Sequence, residues 1–122
     1  MKLTLAMSAL ATLFLSSAAY ADGDAAAGKT VFAKCAICHS TQPGKTVMGP
    51  SLFGIVGRPS ASVQGFSYSD AMKKAGKTWD EATLDTYLTD PKGMVPGTKM
   101  AFAGLPKPED RANVIAYLAT LK

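Results

Sequence analysis

The sequence predicts an all-α domain of several helices joined by long ordered loops, and three observations carry that prediction. Turn-forming residues crowd into two stretches, 40–68 and 91–108, with short capped segments between them. The C-terminal segment carries an apolar stripe at helical spacing, Val114, Tyr117, Leu118 and Leu121. No alternating strand pattern of useful length and no internal repeat is present.

The chain begins with a segment that reads as an export signal. Lys2 precedes an uncharged run over residues 3–21, most apolar in 3–15 and ending in Ala19-Tyr20-Ala21, an A-x-A cleavage pattern. Thr4, Ser8, Thr12, Ser16 and Ser17 interrupt it, and its strongly apolar part is shorter than the ~20 residues a membrane span needs. A cleaved signal over 1–21 is therefore expected rather than an anchor, leaving one domain over 22–122 in the periplasm, an oxidising compartment.

Composition bounds what that domain does. Residues 22–122 hold 43 apolar side chains, but only 27 are neither alanine nor cysteine, while all 11 glycines and 7 prolines fall there. Such a core is thin for its length, so a group other than side chains is expected to fill the middle. A charged fraction of 18% argues against disorder. The formal charge of +4, falling to +3 without Lys2, is too low to demand a nucleic-acid partner.

Each helix has a start signal. Asp24 is suited to cap a helix running through 25–27 towards Cys38. Ser69 caps a short helix ending near Gly76, and Thr78 or Asp80 starts another over 81–89, stopped by Pro91. Pro108 fits the first turn of the last helix, with Glu109 and Asp110 near its positive end.

The chemistry is concentrated in Cys35-Ala36-Ile37-Cys38-His39, the C-x-x-C-H pattern of c-type haem attachment. On one helical turn, positions i, i+3 and i+4 share a face. Cys35 and Cys38 thereby reach two vinyl groups of one porphyrin, and His39 turns a ring nitrogen onto the iron. One haem c, covalent through both cysteines, also supplies the missing apolar body. A thiol oxidoreductase would want a βαβ context that is absent. A closed zinc site cannot be completed, because these are the only Cys and His residues in the chain. A structural disulfide is the remaining alternative.

With no second histidine, the other axial position falls to Met48, Met72, Met94, Met100, a lysine, or nothing. A buried methionine is ordinarily a gap-filler, which suffices for Met72 and Met48. Met100 differs: it sits in Pro96-Gly97-Thr98-Lys99-Met100, and this broken loop also carries Phe102 and Leu105. An apolar loop of that kind needs a large apolar surface to rest on.

Taken in order, these motifs resemble class I cytochrome c, of the mitochondrial and bacterial c2 type. The resemblance runs through Gly28, Phe32, Gly49-Pro50-Ser51-Leu52, Gly57-Arg58 and Gly65-Phe66-Ser67-Tyr68-Ser69-Asp70. It continues through Trp79, Tyr87, Pro96-Gly97-Thr98-Lys99-Met100, Phe102-Ala103-Gly104 and Ile115-Ala116-Tyr117-Leu118. It implies the cytochrome c fold wrapped around its haem, with His39 and Met100 as axial ligands. It further implies that the Pro50 carbonyl accepts the other ring N–H of His39. Arg58, Tyr68 and Trp79 would hydrogen-bond a haem propionate, and Thr98 and Tyr87 would lie near the methionine. Gly28 and Phe32 would meet Val114 and Tyr117 where the first and last helices cross. Met72 departs from the family pattern, standing where relatives often carry an asparagine in a buried water network.

Such a protein is an electron carrier, not an enzyme, since filled axial positions leave no site for substrate on the iron. The resemblance places Lys34, Lys45, Lys92, Lys99 and Lys107 around the exposed haem edge, where they would steer a monomer onto acidic redox partners. A bc1-type complex as donor, and an oxidase or photosynthetic reaction centre as acceptor, are the expected partners.

Overall fold

Asp24 opens the first helix by accepting hydrogen bonds at its carboxylate from the Ala26 and Ala27 amides, at 2.9 and 3.3 Å. The structure is a computed structural model that describes residues 23–122. The expected signal segment and its cleavage after Ala21 lie outside the described residues. Five helices follow in order: α1 (Ala25–Phe32), α2 (Asp70–Ala75), α3 (Glu81–Thr89), α4 (Pro91–Met94) and α5 (Pro108–Ala119). Among the described residues there is no strand, only one isolated antiparallel bridge between Pro59 and Thr78.

The caps explain the boundaries. Ser69 accepts from the Met72 amide at 3.0 Å, and Gly76 ends α2 in the left-handed region at φ 59°. Asp80, rather than Thr78, caps α3 by accepting from the Thr83 amide at 2.7 Å. Pro108 opens α5 without a side-chain cap, its missing N–H removing one of the donors a cap would satisfy.

Two expectations need correction. The helix expected to run towards Cys38 ends at Phe32, and residues 33–38 continue as tightened turns. Cys35 N–H donates to the Phe32 carbonyl and Cys38 N–H to that of Cys35, at 2.8 and 3.0 Å, three residues back rather than four. The C-x-x-C-H segment keeps two helix-like bonds, from Ala36 N–H to the Phe32 carbonyl and from His39 N–H to the Cys35 carbonyl, each at 2.9 Å. Second, the stretch 91–108 is not wholly irregular. Asp90 accepts from the Gly93 amide at 3.0 Å, and Pro91 starts α4 as it stops α3.

The frame of the molecule is the crossing of α1 over α5. Phe32 and Tyr117 pack with their rings tilted by 54° and centroids 5.3 Å apart, and Val114 is only 1% exposed. A Cβ on Gly28 would run into the Asn113 carbonyl and lie 2.9 Å from Tyr117 Cβ, so only glycine lets the helices approach this closely. Asn113 also accepts from the Asp24 amide at 2.8 Å, tying the start of α1 to α5. Against this frame, Leu84, Tyr87 and Leu88 of α3 complete the buried cluster with Ile55, Trp79, Val95 and Leu105. No helix among the described residues is long and apolar enough to cross a membrane.

Candidate functional site

The loops between these helices enclose a largely apolar cavity of about 420 Å³, a size suited to a cofactor. All ten residues singled out from the sequence line it: Cys35, Cys38, His39, Pro50, Arg58, Tyr68, Trp79, Tyr87, Thr98 and Met100. Cys35, Cys38 and His39 come from the turns after α1, Tyr87 from α3, and Thr98 and Met100 from the loop after α4.

On the histidine side, Nδ1 of His39 lies 2.7 Å from the Pro50 carbonyl oxygen. A carbonyl only accepts, so Nδ1 carries the proton and Nε2 keeps its lone pair for a metal. Pro50 is held in place by its neighbours. Gly49 N–H donates to the Cys38 carbonyl at 2.7 Å, and Leu52 N–H to that of Ser40 at 2.9 Å. Gly49 lies flat against the imidazole, where a Cβ would come within 2.6 Å of Cε1 and 2.9 Å of Nδ1. No local signature marks this role for Gly49, because the ring it approaches lies ten positions away.

Cys35 and Cys38 are half-buried and are not joined to each other in a disulfide. Burial pushes the Cys35 thiol above its ordinary range; Lys34 draws it partly back and Cys38 adds to the rise.

Arg58 is held by backbone. Its Nη1 donates to the Phe53 carbonyl and its Nη2 to the Ser51 carbonyl, each at 3.0 Å. Burial lowers the Arg58 pKa from its ordinary value, with Tyr68 opposing. Ser51, only 3% exposed, fixes that turn by donating to the Gln42 carbonyl at 2.6 Å and accepting from the Phe53 amide at 3.1 Å. The Tyr68 hydroxyl accepts from the Val63 amide at 3.1 Å, and its ring packs edge-on against Phe66 at 4.8 Å. The Trp79 ring leans on Tyr87 at 4.8 Å.

On the methionine side, the Tyr87 hydroxyl lies 3.8 Å from Met100 Sδ, and the Met100 amide donates to Thr98 Oγ1 at 3.3 Å. Burial pushes the Tyr87 phenol up, and its hydrogen bond with Thr98 draws it partly back. Met72 lines the cavity half-buried, in keeping with a packing role. Met48 does not fill a gap: it is 73% exposed at the cavity rim, because residues 43–48 run over the surface. Met94 lies elsewhere, in an open depression of about 550 Å³ beside Asp85 and Asp90.

Lys34, Lys45, Lys92, Lys99 and Lys107 are all exposed; Lys34 and Lys99 border the cavity, whereas Lys45, Lys92 and Lys107 do not line it. Ile37, 73% exposed, and Met48 also line the cavity. The donor set fits a haem. Two thiols and an imidazole adjoin an apolar hollow too large for a packed core to leave empty, and a thioether lines the same space.

The comparisons agree. The cytochrome c family model matches residues 25–122. The chain is 56% identical to cytochrome c2 of Rhodomicrobium vannielii over 111 residues, which is 90% of this chain and 89% of that protein. It is 54% identical to cytochrome c2 of Rhodoblastus acidophilus over 101 residues, 82% of this chain and 94% of that one. The solved structure of cytochrome cH from Methylobacterium extorquens superposes with a TM-score of 0.77 at 48% identity, covering 80% of this chain and 99% of that one. The chain belongs to the cytochrome c family, with Cys35 and Cys38 as the attachment points of a covalent haem c.

Proposed function

We propose that this electron carrier holds its haem between His39 and Met100 and works in the periplasm. There it would take electrons from a membrane bc1-type complex and deliver them to a terminal oxidase or a photosynthetic reaction centre. The observation that carries the ligand assignment is the pairing of His39 Nδ1 with the Pro50 carbonyl, which leaves Nε2 free in a cavity that Met100 also lines. When bound, the haem supplies one-electron chemistry between Fe(II) and Fe(III), and a thioether ligand raises its potential.

The residues of the chain do the rest. Pro50 and Gly49 fix the imidazole plane and its tautomer. Tyr87 and Thr98 hold the methionine segment by their hydroxyls. Arg58, Tyr68 and Trp79 would accommodate propionates, Arg58 by positive charge and the other two by their polar atoms. Leu52, Ile55, Leu84 and Leu88 exclude water.

Partner contact belongs to the rim. Ile37 and Met48 give a small apolar contact, and Lys34, Lys45, Lys92, Lys99 and Lys107 would steer a monomer onto an acidic surface. Redox encounters of this kind are small and brief. Electron exchange with an acidic redox protein should therefore slow steadily from low to high salt. A rate indifferent to salt would remove the lysines from the account.

A further inference from the structure

Arg111, on α5, reaches two elements at once. Its Nε donates to Asp85 Oδ1 on α3 at 2.8 Å, and its Nη1 donates to the Leu105 carbonyl at 2.8 Å and the Pro106 carbonyl at 3.2 Å. The side chain is only 11% exposed, and that of Asp85 34%. Leu105 is itself 1% exposed and donates its amide to the Leu88 carbonyl at 2.7 Å. Gly104, at φ 110°, threads past α3 where a Cβ would meet the Leu88 carbonyl oxygen at 3.0 Å.

These contacts close a loop. Its near end is held where the Thr98 amide donates to the Val95 carbonyl at 3.0 Å, and its far end at Leu105. Between them lies Met100, whose sulfur faces the hydroxyl of Tyr87. One helix, α3, thus meets the loop at Tyr87 and Leu88, and Asp85 fixes the arginine that grips its far end. A guanidinium does this because its planar fork serves a carboxylate and two carbonyls together, which an ammonium cannot do from one place.

We propose that Arg111, locked by Asp85, is the positioning residue that clamps the far end of the Met100 loop and so keeps the thioether at the cavity. This rests on the reading of Met100 as an axial ligand. With both ends held, residues 99–104 have few conformations; with the far end released, the loop gains entropy whenever the sulfur leaves. The ligand then competes less well with small molecules.

The test uses ferric holoprotein and imidazole as the competing ligand, in wild type, Arg111→Gln, Arg111→Lys, Asp85→Asn and Met100→Ala. Loss of charged hydrogen bonds predicts that Arg111→Gln binds imidazole about tenfold tighter than wild type, with Arg111→Lys and Asp85→Asn between. Hydrogen exchange separates this from general loosening. The Leu105 amide should exchange faster in the variants, while the Gly28 amide, which donates to the Asp24 carbonyl at the helix crossing, should not. Should Arg111→Gln not fold, the same comparison in Arg111→Lys and Asp85→Asn decides. Imidazole affinity within about twofold of wild type in every folded Arg111 and Asp85 variant would overturn the clamp, as would equal acceleration at Gly28 and Leu105. A wild type that binds imidazole as tightly as Met100→Ala would instead overturn the ligand assignment, and the clamp with it.

Discussion

The phenolic oxygen of Tyr87 lies 3.8 Å from the sulfur of Met100, within reach of a sulfur hydrogen bond, on a side chain only 7% exposed. A donor at that sulfur draws electron density from it and so weakens what it can give to ferric iron. Tyr87→Phe should therefore favour the ferric state. A lost hydrogen bond of ordinary strength predicts a reduction potential lower by about 20–60 mV, read by voltammetry. A rise in potential would show that the Tyr87 hydroxyl does not draw on the sulfur.

Gly49→Ala should be costly beyond its size. The added Cβ would sit 2.6 Å from His39 Cε1, so either the ring or the 49–50 turn must move. Overpacking of this kind predicts a loss of about 1–3 kcal/mol in denaturant unfolding of the holoprotein. Gly44→Ala, where a Cβ meets nothing, is the control; its φ of 69° adds backbone strain but no contact with the histidine. Only Gly49→Ala should disturb the spectrum.

Asp80 gives the fold an acid-sensitive cap. Hydrogen bonds from Thr83, backbone first and side chain second, hold its carboxyl below the usual range. A depressed folded pKa contributes stability that is present above the unfolded pKa and is lost as pH falls through the folded value. Asp80→Asn keeps a capping oxygen but cannot titrate. Its unfolding stability should fall less steeply than wild type below about pH 4. Parallel profiles would show that the cap charge plays no part.

Lys99 adjoins Met100, is exposed, and borders the cavity. Its amine is a candidate to replace the thioether in alkaline solution. In Lys99→Ala the loss of the ferric methionine-to-iron absorption band should move to higher pH. An unchanged transition would exclude Lys99 as the sole replacement.

What the sequence could and could not disclose follows from where each signal resides. Ser69, Asp80 and Pro108 announce their helices because a cap is a local event between neighbours in sequence. Cys35, Cys38 and His39 are legible for the same reason. The end of α1 was not, since nothing in residues 33–38 forbids a helix and only the tightened turns reveal the change. Pro91 was read as a stop alone, although a proline that ends one helix can occupy the first turn of the next. Arg111 was invisible as a functional residue because its partner Asp85 lies 26 positions away. The exposure of Met48 is not legible in the sequence, because methionine composition says nothing about which side of a loop faces solvent.

If His39 and Met100 fill both axial positions of the haem iron, no site is left for an exogenous ligand. Carbon monoxide added to the reduced holoprotein tests it most directly. The account predicts that wild type resists binding, that the ferric form shows the weak methionine-to-iron band, and that Met100→Ala loses the band and binds carbon monoxide readily. Rapid, tight binding by the wild-type protein would mean that Met100 is not a ligand and would contradict the account.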